Sequence, residues 1–180
     1  MNLQRFDELM QVPRPPCQTV AEWRCLLEFA DGYFKSRGIT NPVVVEIGIA
    51  DNGQKHFYRE LLNGEHIGID LAPYADIVGN SQLAETVEKL KARLSGRMID
   101  LLFIDGDHSF QGVKTDYELY EPLTRHLIAF HDIFGDVSRF WNEVIDKEKN
   151  YPMIMFKKEN REPWLYTAGL MGIGLILKGE

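Results

Sequence analysis

VVVEIGIADNG, residues 43–53, decides the fold. An unbroken β-branched run closed by an acidic residue, a glycine and a short polar loop is what a strand buried on both faces needs before it turns into a helix. Val43–Ile47 therefore reads as a first strand. Gly48 lets the chain turn tightly, and Gly53 lets a ligand approach the start of the next helix. The pyrophosphate of a dinucleotide is cradled by GxGxxG, and this loop lacks that spacing, which disfavours an NAD-dependent oxidoreductase and suits a ligand without phosphate. By itself the loop serves a plain βα turn as readily as a ligand.

Outward from this stretch the pattern alternates. His66–Asp70, Ala75–Val78, Asp100–Ile104 and Leu127–Phe130 read as further strands. Between them run helical stripes: Phe57–Leu62; Leu83, Val87, Leu90 and Leu94; and Val113, Tyr117 and Tyr120. Such alternation specifies consecutive βα units and a parallel sheet. Val137, Phe140, Trp141, Val144 and Ile145 mark another helix, followed by strands at Met153–Phe156 and around Ile173–Leu177 with no clear helix between them. A hairpin through Lys158–Ala168 would bring that pair together antiparallel. The expected architecture is an α/β, Rossmann-like single domain: a mostly parallel seven-stranded sheet with the last strand antiparallel and helices on both faces.

Upstream, Val20, Trp23, Leu26, Leu27, Ala30 and Phe34 recur at helical spacing from Thr19 to about Lys35, with Gly38 as a stop. Leu3–Met10 reads as a short amphipathic helix, and Pro13, Pro15 and Pro16 force an extended passage after it. The chain thus divides into an arm or lid, residues 1–18, and a main domain, residues 19–180. A length of 180 residues suits one core. The net charge of −7 opposes attraction to phosphate backbones and anionic lipid, so neither nucleic acid nor a membrane is the expected partner. The start, MNLQRFDELMQV, is no secretory signal and no later run is long enough to span a bilayer, so a cytoplasmic location is expected. Cys17 and Cys25 are too few and too unpatterned for a disulfide scaffold or a zinc cluster.

In open α/β sheets ligands sit beyond the carboxyl ends of the strands. Here those ends carry Glu46-Ile47-Gly48, Asp70, Gly79-Asn80-Ser81-Gln82, Asp105-Gly106-Asp107-His108 and His131-Asp132. A carboxylate in the place of Asp70 accepts both hydroxyls of an adenosine ribose; otherwise it caps a turn. Asp105, His131 and Asp132 offer two hard oxygens and an imidazole, acceptable for Mg²⁺, Mn²⁺ or a similar divalent ion. The plainer alternative is that Asp107 and Asp132 cap the following helices and His131 is a buried histidine.

With these residues in view the sequence resembles the class I S-adenosylmethionine-dependent methyltransferases. IVGNSQ (77–82) is similar to the strand-three turn of catechol-type O-methyltransferases, where a Ser-Gln pair lies beside the adenine. DLLFIDGDHSFQGVKTDYELYEPL (100–123) resembles the bacterial methyltransferases grouped with macrocin O-methyltransferase and cephalosporin hydroxylase, and AFHDI (129–133) takes the place of their strand-five motif. The resemblance covers roughly Val43–Ile133.

The resemblance implies that residues 19–180 form an S-adenosylmethionine-binding methyltransferase domain. Its cofactor residues would be Glu46, Gly48, Ile49, Ala50, Asn52, Gly53, Asp70, Leu71, Asn80, Ser81, Gln82 and Asp105. It also implies methylation of a small molecule, at oxygen before nitrogen, with Asp105 and His108 catalytic and a divalent cation such as Mg²⁺ held by Asp105, His131 and Asp132. His108 stands where these enzymes place the base that takes the acceptor proton; the alternative is a histidine that orients its loop or bonds Asp116. Two departures stand out. Asn52 replaces a frequent glycine but tolerates left-handed backbone angles, and His131-Asp132 replaces Asp-Asn, which leaves the identity and need of the metal open. The alternative function is a non-catalytic module that binds S-adenosylmethionine or S-adenosylhomocysteine. The arm is expected to cover the acceptor pocket or to cross to a second subunit in a homodimer.

Overall fold

The computed structural model describes residues 1–12, 15–16, 18–143, 150–152 and 172–178. Strand β1 is Val43–Ile47, β2 Glu65–Asp70, β3 Ile77–Val78, β4 Ile99–Ile104, β5 Thr124–Phe130, β6 Asn150–Pro152 and β7 Gly174–Leu177. They form one seven-stranded sheet in the order β3-β2-β1-β4-β5-β7-β6. The first five strands are mutually parallel, and β7 runs antiparallel to both β5 and β6. The reversed final strand is where the sequence places it. The expected strand at Met153–Phe156, the hairpin through 158–168, and Cys17, Val144 and Ile145 lie outside the described residues.

Period-two alternation splits the apolar strand residues between two layers. Val43, Val45, Ile47, Leu102, Ile104, Ile128 and Phe130 face helices α4 (Ala84–Leu94), α5 (Phe110–Tyr120) and α6 (Ser138–Glu143). Val44, Leu101, Phe103, Leu127 and Ala129 face α1 (Leu3–Met10), α2 (Val20–Ser36) and α3 (Gln54–Leu61). The arm's helix is therefore a full member of the second layer. Asn2 caps it by accepting the Arg5 N–H at 3.1 Å, and its fully buried Phe6 packs edge-on to Phe57 of α3, with ring centroids 5.5 Å apart.

Two local readings shift. β3 is shorter than Ala75–Val78 because the Ala75 N–H turns back to the Ala72 carbonyl at 3.1 Å, and the Asp76 carboxylate is taken by the Gly68 N–H at 3.0 Å. Leu83 is the residue before α4, 48 % exposed, and not part of its buried stripe. Among the described residues no helix is long and apolar enough to cross a membrane.

Candidate active site

The C-terminal ends of β1, β2, β4 and β5 converge on a cavity of about 720 Å³. Each wall is held by backbone chemistry legible residue by residue. Gly48, at φ 81°, is obligatory, since a Cβ there would lie 2.2 Å from the Asp105 carbonyl oxygen. Ala50 and Asn52 follow with φ 45° and 64°, so the loop 48–53 winds through left-handed angles, as the asparagine leads one to expect. Asp70 anchors it: Oδ2 accepts the Ile49 N–H at 2.8 Å and Oδ1 the Ala72 N–H at 2.9 Å. A carboxylate has about four acceptor positions, so capacity remains for a ligand's hydroxyls.

The opposite wall is the 80–82 turn. The Asn80 side chain accepts the Gln82 N–H at 2.9 Å, and the Tyr120 hydroxyl donates to the Ser81 carbonyl at 2.8 Å. The Gln82 amide donates to Asp107 Oδ2 at 3.0 Å, joining this turn to the loop after β4. Asp107 also accepts the Ser109 N–H at 2.9 Å, while Ser109 is the residue that caps α5.

The remaining side is a cluster of two carboxylates and two imidazoles. Asp105 Oδ1 lies 3.2 Å from His108 Nε2 and 3.0 Å from His131 Nδ1. Asp132, at φ 58°, brings Oδ2 to 3.1 Å from His108 Nδ1 and Oδ1 to 3.6 Å from His131 Nδ1. His108 thus sits between two carboxylates and does not bond Asp116. Asp105 raises the His108 pKa above the ordinary histidine value. Burial works to lower that of His131, but Asp105, Asp132 and Glu22 outweigh it and push it up to about 9. Burial would raise the Asp105 pKa, yet the two imidazoles hold it below the usual carboxylate range; Asp132 moves upward through burial.

The donor set fits a divalent cation. Ligand atoms of Asp105, His108 and His131 all lie within 4.8 Å of one another, and Nε2 of the 4 % exposed His131 is buried without a hydrogen-bond partner. Asp132, expected as a ligand, contacts both imidazoles, while His108 takes its place in the tight trio. A set with two imidazoles suits Mn²⁺ and its neighbours better than the oxygen-seeking Mg²⁺.

Of the residues singled out from sequence, Gly48, Ala50, Asp70 and Leu71 line the cavity, as do Asn80, Ser81 and Gln82, and Asp105, His108, His131 and Asp132. Glu46, Ile49, Asn52 and Gly53 are not among its lining residues. Glu46 is fully buried and bonds His66 Nε2 at 2.7 Å; burial drives its pKa well up and that of His66 down to about 4. Ile49 fills the space that a side chain on Gly68 would need. Three residues escape the sequence reading. Gln54, 2 % exposed, lines the cavity. Gln18, 1 % exposed and ahead of α2, donates through Nε2 to Asp105 Oδ2 at 3.1 Å, and Glu22, fully buried in the first turn of α2, helps to raise the pKa of His131. Only a polar residue at the start of an apolar helix hinted at either of the last two.

Residues 49–133 match the family model described as a methyltransferase domain. No curated protein matches the chain at a significant level. Among solved structures it is similar to the MycE methyltransferase of the mycinamycin biosynthetic pathway, in complex with Mg and SAH. That match has 16 % identity and a TM-score of 0.64, over 97 % of this chain and 54 % of that one. The chain thus spans about half the length of MycE. It is also similar to an O-methyltransferase from Bacillus cereus in complex with SAH, at 11 % identity and a TM-score of 0.50, over 97 % of each chain. A candidate caffeoyl-CoA O-methyltransferase from Staphylococcus aureus matches at 18 % identity and a TM-score of 0.52, over 99 % of this chain and 93 % of that one. These likenesses establish the class I methyltransferase fold.

Proposed function

From a chain with the class I methyltransferase fold, whose residues 49–133 match a methyltransferase domain, we propose that the protein transfers a methyl group from S-adenosylmethionine to an oxygen of a small-molecule acceptor. The observation that carries this is a juxtaposition. One cavity joins a wall suited to a nucleoside (Gly48, Asp70, Asn80–Gln82) to a cluster suited to handling a proton (Asp105, His108, Asp132).

In this reading Asp70 accepts the ribose hydroxyls, Leu71 and the Ser81-Gln82 turn flank the adenine, and the 48–53 loop with Asp105 holds the methionine end. The acceptor oxygen attacks the methyl carbon in line with the sulfur; the new C–O bond forms as the C–S bond breaks, leaving S-adenosylhomocysteine, and His108 takes the acceptor's proton. Asp105 faces one ring nitrogen of His108 and Asp132 the other; for the ring to take the proton, the acceptor hydroxyl displaces one of these carboxylates while the other orients the imidazole. A divalent ion, held by Asp105, His131 and either His108 or Asp132, would lower the pKa of an acceptor hydroxyl bound to it.

Residues 19–180 are read as the S-adenosylmethionine-binding domain and residues 1–18 as a lid that acts through its last residue, since Gln18 reaches Asp105 while Phe6 and Leu9 are packed into the core. The charge of −7 supports a small molecule over nucleic acid as acceptor; the cytoplasm is the expected compartment, checked by fractionation, and a homodimer the expected assembly, checked by sedimentation. The transfer itself is tested with S-adenosylmethionine labelled in the methyl group and a panel of phenolic and sugar hydroxyl acceptors, with and without EDTA. Label should move to one acceptor class, and His108→Ala should slow it about 10²–10⁴-fold, the range for loss of a general base. Cofactor binding with no transfer to any acceptor would favour the non-catalytic module.

A further inference from the structure

The turn after β3 and the loop after β4 meet through a bond between two side chains: Gln82 Nε2 donates to Asp107 Oδ2 at 3.0 Å, and both residues line the cavity. Asp107 is also fixed from behind. Its Oδ1 accepts the N–H of Ser109, the residue that caps α5, at 2.9 Å. Its carboxylate lies against Gly112, where a Cβ would come within 2.3 Å of both Oδ2 and Cγ. A glycine inside a helix is destabilising relative to alanine; at Gly112 the missing side chain leaves room for the oxygen that holds Gln82.

A carboxamide can present either its NH₂ or its oxygen, so what Gln82 shows to a ligand depends on its neighbours. Asp107 decides it. The Ser109 N–H, and after it the Gln82 amide, hold the Asp107 pKa below the usual carboxylate range, so the carboxylate is ionised at neutral pH and can only accept. Turning the amide over would set its oxygen against Oδ2. The NH₂ of Gln82 is thus committed to Asp107, and Oε1, which has no donor among the described residues, is the group left for a ligand. Other acceptors of the turn are already engaged: Asn80 Oδ1 by the Gln82 N–H, and the Ser81 carbonyl by the Tyr120 hydroxyl.

We propose that Asp107 is a positioning residue that sets the base specificity of the cofactor site: by holding the NH₂ of Gln82 it leaves the amide oxygen for the base, and so selects a base with an exocyclic amine, as in adenine, over one with a carbonyl oxygen in its place. The proposal rests on the reading of the 80–82 turn as the adenine wall. A base with a carbonyl there would bring two acceptors face to face, and a site built to pair with one group rejects the analogue that cannot pair. Asp107 need not touch the base, since it acts through Gln82.

The test is calorimetric titration of the 180-residue chain with S-adenosylhomocysteine and with its deaminated analogue, S-inosylhomocysteine, in which a carbonyl oxygen replaces the amine. The unmodified protein should bind S-adenosylhomocysteine more tightly by about tenfold or more, the scale of one hydrogen bond made with one ligand and left unmade with the other. In Asp107→Asn the amide oxygen can keep the Ser109 N–H, so the amide nitrogen takes the place of Oδ2 and turns Gln82 over. The ratio of the two affinities should then fall to about threefold or less, or invert. Gly112→Ala should lower the ratio too, because the end of the Asp107 side chain is the part that can move away from a new Cβ. An Asp107 that did no more than support the start of α5 would weaken both ligands alike and leave the ratio where it was. Equal affinities in the unmodified protein, or a ratio that the variants leave unchanged, overturn this inference while the cofactor site stands. Failure of the unmodified protein to bind S-adenosylhomocysteine overturns the adenine wall itself and this inference with it.

Discussion

Gly48 is the residue on which the geometry of the site turns. Its backbone passes so close to Asp105 that a methyl group would meet a carbonyl oxygen at 2.2 Å, and neither strand end has a flexible atom to move aside. Gly48→Ala should therefore destabilise the fold by about 1–3 kcal/mol, as forced overpacking does, and should impair cofactor binding more than a substitution at Gly38, where a Cβ meets nothing within 4 Å. Urea unfolding and calorimetry on both variants check this; equal effects at the two sites would show that the loop yields. Residue by residue, the sequence was readable where chemistry is local. Asn52 is left-handed at 64° as its side chain predisposes it to be, and Asp70, Asp105 and His131 stand at strand ends that periodicity alone locates. Ala50 at 45° was not foreseeable, because alanine has no intrinsic preference for that region. Gln18, Glu22 and Gln54 were illegible for a different reason: what makes them part of the site is the tertiary packing of α2 and α3 against the sheet.

At the scale of elements, α1 looks from sequence like a detachable strap, since prolines separate it from α2. Its packing says otherwise for the part up to Met10. Phe6 is fully buried and Leu9 4 % exposed, in the same cluster as Trp23 and Phe57. Phe6→Ala should cost about 3–5 kcal/mol, the range for a large aromatic removed from a core, seen as a lower urea midpoint with little change in slope. A cost below about 1 kcal/mol, the scale of a surface substitution, would return α1 to the status of a loose arm. The strands were the most legible elements, because the β-branched runs of β1, β2, β4 and β5 end in polar residues that break the pattern. β3 was overread by two residues, since Asp76 turns its carboxylate to the Gly68 N–H instead of continuing the ladder.

For the molecule as a whole, the parallel sheet follows from the alternation of strand and helix patterns and the reversed last strand from the lack of a clear helix before it, whereas the strand order and the electrostatics depend on packing and burial that no sequence states. Asp116 illustrates it. It is fully buried beside the Ser81 turn, and burial raises its pKa to about 6. A folded pKa above the unfolded value of 3.8 means that its neutral form is favoured by folding: the contribution is complete below pH 3.8 and is lost as pH rises through about 6. Asp116→Asn removes that loss. Relative to the unmodified protein, the variant should gain about 2–3 kcal/mol between pH 4 and pH 8, the linkage value of such a shift. Urea titrations at the two pH values read this double difference, and a difference near zero would mean that Asp116 ionises as freely folded as unfolded.

The central claim is that the cavity between the 48–53 loop, Asp70 and the 80–82 turn holds S-adenosylmethionine. Titration of S-adenosylhomocysteine into the 180-residue chain by calorimetry tests it most directly, with Asp70→Ala and NAD as controls. The account predicts one binding site per chain, an affinity weakened by roughly 1.5–3 kcal/mol in Asp70→Ala, the value of hydrogen bonds to a charged group, and no heat from NAD. Binding of NAD at millimolar concentration with none of S-adenosylhomocysteine would contradict it.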